Sequence, residues 1–271
     1  MPDPSAVAVF ADLRAEGSEL DSLVGELPEA GWAAPTPAAG WTIAHQIAHL
    51  HWTDRASLLA LTDADGFAVM AQVAAKSPDT FVDEGAAEGV LLGAAELLAR
   101  WRAGRAALDE ALAAADPGAR FPWYGPPMKA ASMASARLME TWAHGQDVAD
   151  ALGVRRTPTA RLRHVARIGV RARDYAYAVR GLRAPGEQFR VELLAPDGAG
   201  VWSFGPEDAG QRVTGPALDF CLLVTRRAHR ADLALTATGP DAERWLDIAQ
   251  AFAGPAGSGR APSAADGEGS R

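Results

Sequence analysis

From Ala6 to Gly153 the apolar residues recur with the spacing of one helix face; past the polar stretch Val154–Thr159 (VRRTPT) they begin to alternate. This change of period constrains the fold most, because a helical stripe and an alternating strand bury their apolar faces against different partners. The spacing predicts helices over Ala6–Leu27, from Thr42 through Leu59, over Gly85–Ala115 and over Ala131–Leu152, the last closed by Gly153. A loop rich in Pro and Gly occupies Pro28–Gly40. Four long helices with no strand signal between them pack most naturally as an antiparallel bundle. After the linker come a helix at Ala160–Val179 and alternating segments at Gln188–Leu194, Val201–Phe204, Gln211–Thr214 and Leu233–Thr238. Helices at Ala217–Arg227 and Asp241–Phe252 complete this part. The expectation is α+β overall: a four-helix bundle over residues 1–153, a smaller α+β domain over 160–254, and a disordered tail over 255–271. A length of 271 residues suits two domains.

Charge and cysteine content then narrow the function. Twenty-six basic against 34 acidic residues give a net charge of −8, which argues against a general nucleic-acid binder. The first 17 residues carry acids where a signal peptide wants positive charge, and the charge-free stretch Ala30–Thr53 is broken by Pro, Gly and His. A cytoplasmic protein without a membrane segment is expected, acting on a small molecule as a monomer or homodimer. Cys221 is the single cysteine, so a disulfide framework and a multi-cysteine metal site are both excluded. The six histidines remain as the soft-metal donors, and four of them fall in two short segments.

Those segments are HQIAHLH (His45–His51) and ETWAH (Glu140–His144). On a helix, residues four apart share a face, so His45 pairs with His49 and Glu140 with His144, while His51 points elsewhere. Facing helices of a bundle can bring two such faces to one point in the core. Two imidazoles and one carboxylate hold zinc and leave a fourth position open, the mark of a catalytic site; the same donors suit ferrous iron. A surface patch is the plain alternative, but both segments lie in apolar, Trp-containing helices where an uncompensated carboxylate would be costly. Around them, Asp147 could orient an imidazole or simply cap its helix, and Arg137 could bind an anionic substrate or pair with Glu140 or Asp54. Trp52, Trp123, Tyr124 and Trp142 could wall a pocket at the bundle mouth; Trp123 and Tyr124, on a loop, are the better cofactor-binding candidates. Cys221, in ALDFCLLV, has the surroundings of a buried inert thiol.

GWTIAHQIAHL (Gly40–Leu50), RLMETWAHGQDVADALG (Arg137–Gly153) and GPALDFCLLVTRR (Gly215–Arg227) together resemble the mycothiol-dependent maleylpyruvate isomerase family of the DinB-like superfamily, and within it an actinobacterial metal-binding branch. The resemblance implies zinc, or another divalent metal, on His49, Glu140 and His144, with mycothiol as a thiol cofactor and a sterol-carrier-like C-terminal domain. It implies a metal-dependent enzyme performing isomerisation or S-transfer on a small electrophile. His45 departs from the family pattern, which commonly has an acid there; it is expected as a general base or as a group holding a ligand by a hydrogen bond. Two other readings stay open: a thiol-independent metal–hydroxide hydrolase or lyase, and a metal-stabilised protein that binds a small ligand without turnover.

Overall fold

Four long helices carry the first part of the chain: α1 (Pro4–Val24), α3 (Ile43–Thr62), α6 (Ala94–Ala114) and α7 (Ala130–Ala151), with α2 (Glu29–Trp32), α4 (Ala64–Lys76) and α5 (Phe81–Val90) between them. The computed structural model describes residues 4–78, 80–196, 198, 200–257 and 259–263. The chain divides into two units, residues 1–156 and 157–271. In the first, α3 packs on α5, α6 and α7, and α1 packs on α7 and α6, so α3 is the central helix. Its apolar core falls into two clusters. Leu20, Val24, Trp32, Ile43, Ile47, Leu50, Leu97, Trp101 and Val148 form one; Val9, Ala56, Ala60, Phe67, Leu108, Leu112, Met133 and Ala134 form the other. Along α3 and α7, the residues between these clusters include buried polar groups: His51, Thr53, Asp54, Arg137 and Thr141. Such groups survive in a core only when paired or ligated.

In this first unit the structure departs from the periodicity in three places. The stretch expected as one helix over Gly85–Ala115 is broken at Leu91–Gly93, where Gly93 takes φ +77° and leaves Leu91 exposed; the apolar stripe runs through Leu91 and Leu92 and conceals the break. Helix α4 lies where no element was assigned, started by Asp63, whose carboxylate accepts from the Gly66 N–H. The Pro28–Gly40 loop contains α2, and the rest of it folds back onto α3, with the Ile43 N–H donating to the Ala34 carbonyl. Helix α5 reaches α3 through glycines: a Cβ on Gly89 would lie 2.7 Å from Ala48 Cβ, and one on Gly85 3.1 Å from the Trp52 ring. At the other side, Arg156 ties α1 to α7, donating to Glu16, to Glu19 (2.9 Å) and to the Trp142 carbonyl (3.0 Å).

The second unit holds α8 (Leu162–Arg171), α9 (Arg173–Ala178), α10 (Ala217–Val224), α11 (Pro240–Ile248) and a four-stranded sheet. Its strands are β1 (Phe189–Leu194), β2 (Val201–Phe204), β3 (Gln211–Pro216) and β4 (Thr236–Thr238), in the order β2-β1-β3-β4. β1 runs antiparallel to β2 and parallel to β3, with Val191 opposite Val213, and β3 runs antiparallel to β4. The inward residues of β1, Phe189, Val191 and Leu193, are buried, as its alternation predicts. Trp245 of α11 fills the core between Phe189 and Phe220. The helix expected at Ala160–Val179 is two helices here, and the strand expected at Leu233–Thr238 is shortened to β4, with the Ala234 N–H donating to the Asp219 carboxylate. Of the tail expected to be disordered, residues 258 and 264–271 lie outside the described residues; among the others, the Ser263 N–H donates to Asp232 and the Ala256 carbonyl accepts from Arg226. No helix among the described residues is long and apolar enough to cross a membrane.

Candidate metal centre

Helix α3 presents His49 and helix α7 presents Glu140 and His144, one turn apart, toward a common point. His49 Nε2 and His144 Nε2 each lie 3.3 Å from the same oxygen, Glu140 Oε2. The two imidazole centroids are 4.4 Å apart. Among the described residues, this is the one group of His, Cys, Asp and Glu donors that converges well enough for an ion, with its ligand atoms within 4.8 Å of one another. His49 is buried and Glu140 is 23% exposed, so the site has a floor in the core and an approach from outside. Burial pulls the Glu140 carboxyl upward, but the hydrogen bonds and charge of His144 and His49 outweigh it and hold the group well below its ordinary range. Two imidazoles crowding one ionised oxygen form a donor set that a divalent cation fits in charge and in atom type.

The surrounding side chains fix this arrangement. His144 Nδ1 meets Gln46 Oε1 at 2.5 Å, and Gln46, fully buried, donates through Nε2 to Thr36 Oγ1 at 2.8 Å. Trp41 lies over the centre, stacked on His144 (5.9 Å, 20°) and 5.4 Å from His49, and is itself anchored by an Nε1 hydrogen bond to Asp83. On the other side of His49, Trp52 lies 6.3 Å away and stacks on Tyr124. Trp123 and Tyr124 join Phe67 and Phe81 in that aromatic group, so the two loop aromatics reach the centre through Trp52. Burial raises the Tyr124 hydroxyl to about 12, so it stays a neutral donor at any physiological pH. Trp142, expected with them, is a buried core residue of α7.

The structure places three further candidates, and for Arg137 it shows the pairing with Asp54 that was one of its two readings. His45 does not join the donor group: its Nδ1 accepts from the Thr42 backbone N–H (3.2 Å) and lies 2.8 Å from the Thr42 hydroxyl, closing the first turn of α3. With Nδ1 as acceptor, the neutral ring carries its proton on Nε2, which suits a donor rather than a general base. Arg137 is 2% exposed and its Nε donates to Asp54 Oδ1 (3.0 Å), so it is half of a buried ion pair and not an open anion clamp. Burial raises the Asp54 carboxyl against the pull of Arg137. Asp147 is buried on α7, but the acceptor at His144 Nδ1 is Gln46. His51 turns the other way, toward Gly104 of α6, as its spacing predicts. Sequence reasoning missed Trp41 and Gln46. Gln46 sits three residues before His49 on the same helix, and that spacing is the signal that could have flagged it.

A second concavity, about 590 Å³, lies in the C-terminal unit and is lined by Leu223, Arg226, His229, Arg230 and Leu246 among others. Its basic groups have partners already: Arg226 donates to the Ala256 carbonyl, and Arg230 is held by Glu243 and Asp247. The converging donors are in the bundle.

Comparison with known proteins identifies the family and the fold. Residues 13–149 match the family model described as the mycothiol maleylpyruvate isomerase N-terminal domain, and residues 185–238 match one described as wyosine base formation. Uncharacterized proteins from two strains of Mycobacterium tuberculosis are 58% identical over 260 residues, covering 96% of this chain and all of theirs. Crystal structures of the mycothiol-dependent maleylpyruvate isomerase and of a histidine-to-alanine mutant of it share the fold. Their TM-scores are 0.59 and 0.58 at 18% identity, over 86% of this chain and 92% of theirs.

Proposed function

The chain belongs to the mycothiol maleylpyruvate isomerase family, and from that membership we propose a metal-dependent enzyme that uses a low-molecular-weight thiol such as mycothiol on a small electrophilic substrate, giving isomerisation or S-transfer. One observation carries the reading: His49, Glu140 and His144 turn their donor atoms to one point that has an approach from outside. Those three residues would hold the ion, with zinc the best match to two imidazoles and one carboxylate. Such an ion, when bound, supplies Lewis acidity that turns a weakly acidic thiol into its nucleophilic thiolate. The thiol, when bound, supplies a nucleophile that adds reversibly to an electron-poor carbon, which covers both outcomes.

The protein's own groups set the conditions. Glu140 stays ionised and offsets part of the charge of a divalent cation. Trp41 covers one side of the imidazole pair and restricts water there, where a drier surrounding strengthens every charge interaction. Trp52 and Tyr124 offer flat, largely apolar surface beside His49, fit for the carbon frame of a small substrate. Cys221 is fully buried in the other unit, and burial pushes its thiol upward, so the reacting sulfur would come from a cofactor. The thiol-independent alternative needs a base, and the cap made by His45 works against it.

The test is turnover of a maleylpyruvate-like electrophile with and without mycothiol. We expect activity that needs the thiol and is lost after chelation or in His144→Ala. Equal turnover without thiol, or full activity in His144→Ala, would contradict the proposal.

A further inference from the structure

The direction of each hydrogen bond near His144 can be worked out from one backbone carbonyl. The Trp41 carbonyl can only accept, and it takes both the Thr36 backbone N–H (2.8 Å) and the Thr36 hydroxyl proton (2.9 Å). A threonine hydroxyl has one proton to give. With that proton spent on Trp41, Thr36 Oγ1 can only accept from Gln46, so the NH₂ end of the Gln46 amide faces Thr36 at 2.8 Å. The carbonyl end then faces His144, and His144 Nδ1 must be the donor in the 2.5 Å contact. In the neutral ring this leaves the lone pair on Nε2, aimed at Glu140 Oε2, itself an acceptor, 3.3 Å away. A proton on Nε2 or a cation shared with the carboxylate settles that pair, and with Nδ1–H committed to Gln46, Nε2 is the one ring nitrogen left to ligate a metal.

We propose that Gln46 is a positioning residue: it locks His144 in the Nδ1–H tautomer, and the Thr36–Trp41 turn sets the orientation of Gln46. The inference rests on the reading of His49, Glu140 and His144 as a metal centre. It makes the loop before α3 part of that centre, since the same Trp41 whose carbonyl starts the relay lays its ring on His144. Gln46 is fully buried, so its amide has no water to turn toward and its orientation is decided by these partners alone. Groups that hold the far nitrogen of a ligating histidine fix its orientation and raise its basicity.

The experiment is a competition titration of Zn²⁺ on the full chain against a chromophoric chelator, with the absorption bands of the Co²⁺-loaded protein as a second readout of ligand geometry. Gln46→Ala should bind Zn²⁺ about 10–100-fold more weakly than the wild type. Gln46→Glu, which keeps an acceptor at His144, should restore most of that affinity and the wild-type Co²⁺ spectrum. Thr36→Val should fall between, because the amide is then free to turn over. Wild-type affinity in Gln46→Ala or Thr36→Val overturns the relay, as does a Gln46→Glu protein as weak as Gln46→Ala, which would mark a packing role. Should Gln46→Ala not fold, Thr36→Val and Gln46→Glu decide the matter. A wild-type chain that holds no Zn²⁺, or a Glu140→Ala variant that holds it equally tightly, overturns the metal centre itself and the relay with it.

Discussion

At the scale of the residue, one ion pair anchors the buried polar layer of the bundle. Arg137 and Asp54 are 2% and 5% exposed, and each compensates a charge the other would leave stranded. Removing one partner should cost far more than removing both. Arg137→Ala should destabilise the protein by about 3–5 kcal/mol, while the double variant Arg137→Met with Asp54→Leu should recover most of that loss. Urea unfolding of the three proteins checks this; a single-variant cost comparable to that of an exposed arginine would mean the pair is not structural. Glu140 yields a second prediction at this scale, for the protein stripped of metal. Its carboxyl lies below the ordinary value of 4.5 when folded, so the stability it contributes is present above that value and is lost as the pH falls through the folded-state value. Below that value the stability of the chelated wild type, from urea unfolding, should therefore fall more steeply with acid than that of Glu140→Gln, which has no carboxyl to protonate and starts from a lower stability at neutral pH; equal slopes would contradict the assignment.

At the scale of the element, the contact of α5 with α3 depends on the absence of side chains. A Cβ at Gly89 would meet Ala48 Cβ at 2.7 Å, closer than such atoms come, so Gly89→Ala must push α5 away from the helix that carries His49. We expect a loss of about 1–3 kcal/mol, read as a lower melting temperature by circular dichroism. An unchanged melting temperature would mean that α5 adjusts freely. Periodicity identified the long helices well because their stripes are buried against one another, and the Glu140–His144 spacing was legible because i, i+4 pairs are local. What stayed hidden was non-local. The interruption at Leu91–Gly93 is masked by apolar residues that continue the stripe, and α4 has an apolar face that is only partly covered, with Val69 and Val73 exposed. Trp41 and Gln46 acquire their roles from a loop folding back on α3, which no spacing along one helix reports. The same loop explains His45: its i, i+4 relation to His49 is real, but Thr42 captures its ring first.

At the scale of the whole molecule, the chain is an α+β protein whose converging His and Glu side chains lie in its helical unit and whose single cysteine lies buried in the other. A thiol chemistry carried by a cofactor makes a simple prediction: Cys221→Ala should keep its thiol-dependent turnover unchanged, and a loss of activity in a folded Cys221→Ala protein would point to a sulfur of the chain itself. The proposed chemistry turns on whether His49, Glu140 and His144 hold an ion. Metal content of the purified protein, measured by inductively coupled plasma mass spectrometry for the wild type and Glu140→Ala, tests this most directly. About one divalent ion per chain is expected in the wild type, with its loss in Glu140→Ala, where one of three ligands is removed. A wild-type protein without stoichiometric metal, or a Glu140→Ala protein that retains it, would mean that His49, Glu140 and His144 are not a metal centre.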